Sequence, residues 1–450
     1  MNFKITSVVL TTGVALFAQH SSAMALVRVG FASIDISTTK SVPMGGYGVH
    51  IGLPNSARLS TGIHDPLQAN AIAFEGENQK GVIIVSLDSV GLSRASSLRI
   101  REQIQNILPE SKATVILSAT HSHQTPDTMG LWGALPFFTG RNAAYMDMFE
   151  KNAAAVALKA WERRVPATLS HGIGNYKNTT TKASEKDAQN DQISLFVVRD
   201  LNGTVLGTLS QWSAHPSTLP EKNTVLSADF VGTYRYFMSQ KMPGTHVYVN
   251  GAIGNVYPTE VTERIPDPFT AGQRSPGMED YYDKVAAIGS QLANATMAAL
   301  NSATPLSSEI FGSKSTREIF QLENKLFKWA SQLNLVEIKP TREGNLETEM
   351  ALLNLGGIAA VTIPGEIFPN AAYSLARKLK NQDPNIHPFY IGIGNDWLGY
   401  IMTAADQKNP DFSYNASLSA GKYLLPHLDN AIVELQKRWE NPEINFFRFE

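Results

Sequence analysis

Short apolar runs, each closed by small or polar residues, recur along the chain. Residues 81–87 read GVIIVSL, and comparable runs stand at 114–118, 193–198, 205–213, 246–250, 358–363 and 389–393. Their length and their Val/Ile content predict core strands. Asn202-Gly203, between two of these runs, is a hairpin signal, because both residues tolerate positive φ. Longer segments predict helices at 96–107, 143–164, 279–302, 370–381 and 417–439. In 143–164 an apolar stripe is opposed by charged residues such as Lys151 and Glu162. Residues 258–277, rich in Pro, Thr and Gly, read as a loop. Strands interleaved with helices predict an α/β fold, a layered domain with mixed β-sheets flanked by helices. No repeat, low-complexity tract or linker divides the chain, so residues 26–450 are expected to form one large domain.

Several of the apolar runs end alike. The run 114–118 leads into His121-Ser122-His123, and 205–213 leads into Ala214-His215-Pro216. The run 246–250 leads into Gly251-Ala252-Ile253-Gly254-Asn255, and 358–363 into Pro364-Gly365-Glu366. The last, 389–393, leads into Gly394-Asn395-Asp396 and on to Gly399-Tyr400. Sheets of α/β proteins bind ligands beyond the carboxyl ends of their strands, and loops held by a rigid sheet carry function more often than the sheet does. A lone histidine is more often a core or surface residue, and a glutamate after Pro-Gly is usually a turn residue. It is the shared placement that points to one convergent site. Two histidines and a carboxylate are common ligands of Zn²⁺, with a fourth position left for water or another oxygen ligand. In His121-x-His123 on an extended backbone both side chains face the same way. Both could bind one metal, or one could bind while its neighbour moves protons. Zinc lowers the pKa of bound water to about 7, so the pattern reads as a metal-dependent hydrolase of an amide or ester.

Composition narrows the alternatives. Hydrophobic residues make up 43% and charged residues 17%, which argues against disorder. A net charge of −2 without a long Lys/Arg run leaves no footprint for nucleic acid. With no cysteine, disulfides, thiolate catalysis and cysteine-ligated zinc are excluded. Residues 1–25 carry one early lysine, an apolar stretch and then small residues, which predicts a signal peptide cleaved near Met24 or Leu26. A secreted or periplasmic protein, of bacterial type, is expected. No later segment reaches about 18 uninterrupted apolar residues, so no transmembrane segment is expected.

The same residues resemble a known family, the neutral/alkaline (non-lysosomal) ceramidases, which cut the amide bond of ceramide. The resemblance runs in order along nearly the whole expected mature chain. It is carried by 32–36 with Met44-Gly45-Gly46-Tyr47-Gly48, by Gly62-Ile63-His64, and by 118–123 with Pro126. It continues through Ser227-Ala228-Asp229, Gly254-Asn255-Val256-Tyr257-Pro258, Pro364-Gly365-Glu366 and 395–403. Each motif is short, but seven in the right order are specific. The resemblance implies one zinc ion held by His121, His215, Glu366 and Tyr400, with His123 in proton transfer. Tyr414 resembles a further active-site tyrosine, at a spacing that differs by about two residues. The implied substrate is ceramide or a similar N-acyl lipid, which would allow transient contact with a membrane surface.

The departures concern the substrate side. Tyr257 stands where the family has a serine near the metal, Trp397 where it has a tyrosine, and 178–182 (NTTTK) lacks the family's arginine. The expected chain also has no C-terminal immunoglobulin-like domain. These differences keep two alternatives open: a zinc hydrolase of the same fold acting on a different amide or ester, and a non-catalytic zinc-binding relative. Residues 130–140 (GLWGALPFFTG) could form a lipid-facing lip or a buried loop. A metallo-β-lactamase-like site is not supported, because Thr125 and Pro126 stand where Asp and His would be needed and Asp127 is misplaced. Nor does any G-x-S-x-G elbow occur.

Overall fold

The computed structural model describes residues 27–48, 57–109, 112–133, 138–181, 191–306, 311–382 and 388–440. The expected signal peptide lies outside the described residues. Val82, Ile84 and Ile116 point to one face of a nine-stranded sheet and Ile83, Val85, Val115 and Leu117 to the other, and all are buried. That two-sided burial is why these strands read as continuous apolar runs. The strands lie in the order Thr245–Asn250, Val205–Trp212, Gln192–Asp200, Val165–Asn175, Val27–Asp35, Gln68–Glu75, Gly81–Leu87 and Ala113–Ala119, with Thr304–Pro305 added to the fourth. The pairs Thr245–Asn250/Val205–Trp212 and Gly81–Leu87/Ala113–Ala119 are parallel and the others antiparallel. A second sheet runs Phe311–Gln321, Asn345–Leu355, Ile358–Ile363, Phe389–Gly392, and only its last pair is parallel.

The two sheets share one core, in which Ile84, Ile116, Phe196 and Val249 meet Leu353, Ala360, Phe389 and Ile391. Helices cover the outer faces. Arg94–Gln105 and Ala143–Glu162 pack on the first sheet, and Phe230–Lys241 and Glu279–Ala299 cover its far end. Lys325–Gln332, Pro369–Gln382 and Leu424–Glu440 cover the second sheet. The expected α/β fold with mixed sheets flanked by helices is therefore what the chain adopts. Side-chain caps set two helix starts: Ser93 accepts from Ser96 N (3.1 Å) and Asn142 from Tyr145 N (3.0 Å).

One predicted element is corrected. The helix expected at 417–439 runs Leu424–Glu440, preceded by a separate short helix, Ser413–Ser417. Between them the chain pairs with the segment around Tyr400: Tyr400 N donates to Leu418 O (3.1 Å) and Ala420 N to Leu398 O (3.1 Å). Tertiary pairing thus overrides the helical pattern. Strands Val27–Asp35, Gln68–Glu75, Val165–Asn175, Phe311–Gln321 and Asn345–Leu355 and helix Phe230–Lys241 were not anticipated from the pattern. In Phe311–Gln321 charged residues line a partly exposed face and break up the apolar run. The loop read at 258–277 stays irregular beyond Pro258.

Candidate metal-binding active site

The first sheet delivers His121 just beyond Ala113–Ala119. Its φ of 66° is unusual for a residue with a side chain, and two contacts hold it there. His121 N donates to Ser89 O (2.9 Å), and Nδ1 bonds Val90 O. His215 follows Val205–Trp212; its backbone N and its Nδ1 both reach Val256 O, each at 2.9 Å. A carbonyl can only accept, so Nδ1 carries a proton in both rings, and in the neutral ring the lone pair is on Nε2. The two Nε2 atoms converge on one carboxylate oxygen, Glu366 Oε2, at 3.3 Å from His121 and 2.9 Å from His215. Trp397 Nε1 donates to the other oxygen, Glu366 Oε1 (2.9 Å).

Glu366 comes from the second sheet, just after Ile358–Ile363. A side chain at the preceding Gly365 would place Cβ 2.4 Å from Gly399 O, so only glycine lets the two loops approach. Glu366 N donates to Gly399 O (2.9 Å), and Glu366–Ile367 pairs in parallel with Tyr400–Ile401. Tyr400 is buried and lies within electrostatic reach of Glu366. The sheets are locked together at this point: Ser118 Oγ donates to Gly392 O (2.8 Å), and Asn395 bonds the Leu117 backbone through its N (2.7 Å) and its Oδ1 (2.9 Å).

His123 completes the cluster. Its Nε2 lies 3.3 Å from His121 Nε2, and the ligand atoms of His121, His123 and His215 all fall within 4.8 Å of one another. Unlike the other two rings, His123 has no hydrogen-bond partner at its buried Nδ1 among the described residues. Tyr257 stacks on His215 with ring centroids 4.8 Å apart and an interplanar angle of 23°, yet keeps 39% of its surface exposed. It lies within electrostatic reach of Tyr400 and Glu366. Tyr414, 51% exposed, lies within electrostatic reach of Glu366, Tyr257 and Tyr400. The structure therefore brings together all seven residues singled out from the sequence.

Charge follows this geometry. Burial alone would raise the Glu366 carboxyl, but His121 and His215 outweigh it and hold the group well below the usual carboxylate range. Burial would lower His121, but Glu366 carries it above the ordinary imidazole value. At His123 burial, His121 and His215 together push the pKa well below that value, so the ring is neutral near pH 7. Burial and Glu366 raise Tyr400 well above an ordinary phenol, and Tyr414 is pushed up to about 12 by burial, Glu366 and Tyr257. Asp127 is no part of the cluster: Oδ1 accepts from Met129 N (2.8 Å) and Gly130 N (2.7 Å), and Oδ2 from Trp132 N (2.8 Å), so it organises the loop after His123. In that loop Leu131 and Trp132 are buried and Phe138 is exposed, while residues 134–137 lie outside the described residues.

No family model matches the chain. Over 218 residues it is 24% identical to neutral ceramidase B of Dictyostelium discoideum, an alignment covering 43% of this chain and 30% of that protein. Over 260 residues it is 22% identical to neutral ceramidase of Pseudomonas aeruginosa, covering 51% of this chain and 37% of that one. The crystal structure of neutral ceramidase from Pseudomonas aeruginosa superposes with a TM-score of 0.76, covering 92% of this chain and 74% of that one. This chain is related to the neutral ceramidases. A ceramidase complexed with C2 superposes similarly, with a TM-score of 0.74 over 95% of this chain and 77% of the other. Both superpositions are at 15% identity and speak for the fold alone. In sequence, the alignments span about a third of the length of these two ceramidases.

The sequence reading missed two kinds of partner. Trp397 was noted only as a departure from the ceramidase pattern, whereas its indole N–H holds Glu366. The carbonyls of Val90 and Val256 orient the two histidine rings, and a main-chain group leaves no signature in residue identity.

Proposed function

We propose that this chain is a zinc-dependent amidohydrolase that cleaves the amide bond of ceramide or a related N-acyl lipid. The observation that carries the reading is the difference between the three histidines. His121 and His215 have the arrangement of metal ligands, with Nδ1 tied to a carbonyl and Nε2 presented beside a carboxylate. His123 shares the cluster but lacks the orienting hydrogen bond. We assign His121, His215, Glu366 and Tyr400 to the metal and His123 to proton transfer. The donor set of two imidazoles, a carboxylate and a phenol oxygen suits Zn²⁺, which when bound polarises a carbonyl and lowers the pKa of water.

The remaining work falls to the chain. His123, neutral and buried, accepts a proton at Nε2 as water oxygen bonds to the acyl carbon. It returns that proton to the amide nitrogen as the C–N bond breaks, giving a fatty acid and an amine. Trp397 fixes the Glu366 carboxylate. Tyr257 and Tyr414, both with exposed surface, are assigned to substrate contact.

The test is release of fatty acid from a fluorescent N-acylsphingosine by the mature protein, with and without a zinc chelator. Chelator-sensitive release is expected. A folded, zinc-loaded protein that releases nothing would overturn ceramide as the substrate. A second reading, the same chemistry on a different amide or ester, is favoured by one observation: Tyr257 lies flat on His215, where a serine would leave open space. A panel of acyl substrates separates the two.

A further inference from the structure

The His123 Nδ1 has no hydrogen-bond partner among the described residues, so its ring is not aimed by a carbonyl as those of His121 and His215 are. Its backbone is pinned at both ends. His123 N donates to Pro216 O (3.0 Å), and His123 O accepts from Arg58 Nη2. The same guanidinium donates to Gly45 O (2.7 Å), Asn223 O (2.9 Å) and Gln124 Oε1 (2.9 Å). It thereby joins three stretches of chain far apart in sequence. It also lies 5.1 Å from the centroid of the Tyr47 ring. Tyr47 meets the His123 imidazole edge-on, with centroids 4.8 Å apart and an interplanar angle of 84°. Its hydroxyl donates to Ser217 O (3.0 Å) and to Leu219 O, in the loop that follows His215. Gly46 closes the other side: a Cβ there would lie 2.4 Å from His123 Cγ.

We propose that Arg58 and Tyr47 form a clasp that positions His123 for proton transfer, Arg58 by fixing its backbone and Tyr47 by packing its ring. The clasp rests on the assignment of His123 made above. In this proposal both residues act through His123. Arginine is required because one planar fork bonds several carbonyls at fixed angles. Lysine supplies a single ammonium that cannot span Gly45 O, His123 O and Asn223 O together.

The experiment compares Arg58→Lys, Tyr47→Leu and Tyr47→Phe in the zinc-loaded full chain. Three quantities are read: metal content, kcat against KM, and the imidazole ¹⁵N signals of histidine-labelled protein, with those of His123 identified by His123→Gln. Arg58→Lys and Tyr47→Leu should keep the metal and KM and lose about a hundredfold in kcat, as misplacement of a reacting group does. Tyr47→Phe keeps the ring and should show a smaller loss. The His123 signals should shift or broaden in the first two variants while those of His121 and His215 stay in place. Unchanged kcat and unchanged His123 signals would overturn the proposal. So would a rise in KM alone, which marks substrate contact, or loss of metal, which marks general collapse. If Arg58→Lys does not fold, Tyr47→Leu decides. If the wild-type protein hydrolyses no N-acyl lipid, the functional reading fails, and the imidazole signals still decide the clasp.

Discussion

His121 occupies left-handed backbone at φ 66°, a conformation that costs a non-glycine residue on the order of 1 kcal/mol. The cost is offset by bonds to Ser89 and Val90, and the gain is a ring whose Nε2 faces Glu366. The three histidines are therefore not interchangeable, although two of them share a motif. His121→Ala or His215→Ala should abolish retention of zinc. His123→Ala should keep zinc and lower turnover by roughly a hundred- to ten-thousand-fold, the usual contribution of a general acid–base group. Metal analysis and kcat on the same preparations check this; full zinc occupancy in His121→Ala would refute the ligand assignment.

At the scale of elements, a cluster of charges ties the first sheet's helices to a loop beyond the second sheet's helix Lys325–Gln332. Glu337 accepts from Ser93 Oγ (2.7 Å) and Arg99 Nη2 (3.0 Å) and pairs with Arg141. Arg99 in turn grips Glu150 of Ala143–Glu162 through Nε (2.8 Å) and Nη2 (2.7 Å). Burial would raise the Glu337 pKa, but Arg99 and Arg141 bring it down to about 2. A carboxylate with a depressed folded-state pKa contributes stability above its unfolded value, near 4.5, and loses it as pH falls toward 2. Glu337→Gln should thus destabilise the protein by about 2 kcal/mol at pH 7, because it removes the charge that Arg99 and Arg141 share and leaves them only Glu150. The difference from wild type should shrink between pH 4.5 and 2. Urea denaturation at several pH values measures it, and a pH-independent difference would rule out the ionic origin.

At the scale of the molecule, the proposed ligands come from both sheets. His121 and His215 follow strands of the first sheet, and Glu366 follows a strand of the second. A metal bound by all of them binds the folded chain and not the unfolded one, so it stabilises docking of the sheets. At a free concentration about a hundredfold above Kd the gain is about 2.7 kcal/mol. Zinc should therefore raise Tm and a chelator should lower it, by scanning calorimetry at fixed protein concentration. Tight zinc binding with no change in Tm would mean that the ion sits outside this junction. Among the described residues, no helix is long and apolar enough to cross a membrane.

The strands that end at the site were legible because a strand buried on both faces must be apolar along its length, as in Gly81–Leu87 and Ile358–Ile363. The polar residues after them stood out against that background. Edge and half-exposed strands such as Phe311–Gln321 mix charge into the pattern and carry no such signal. The break at 418–423 carries a single local signal, Gly421 at φ 137°, and is made by pairing with the Tyr400 segment, which the pattern does not show. What residue identity decides here is which groups can bind a metal or carry a proton. Which nitrogen of each histidine faces the cluster is decided by carbonyls of Val90 and Val256, brought in from remote parts of the chain, because a ring is aimed by whatever accepts its other proton.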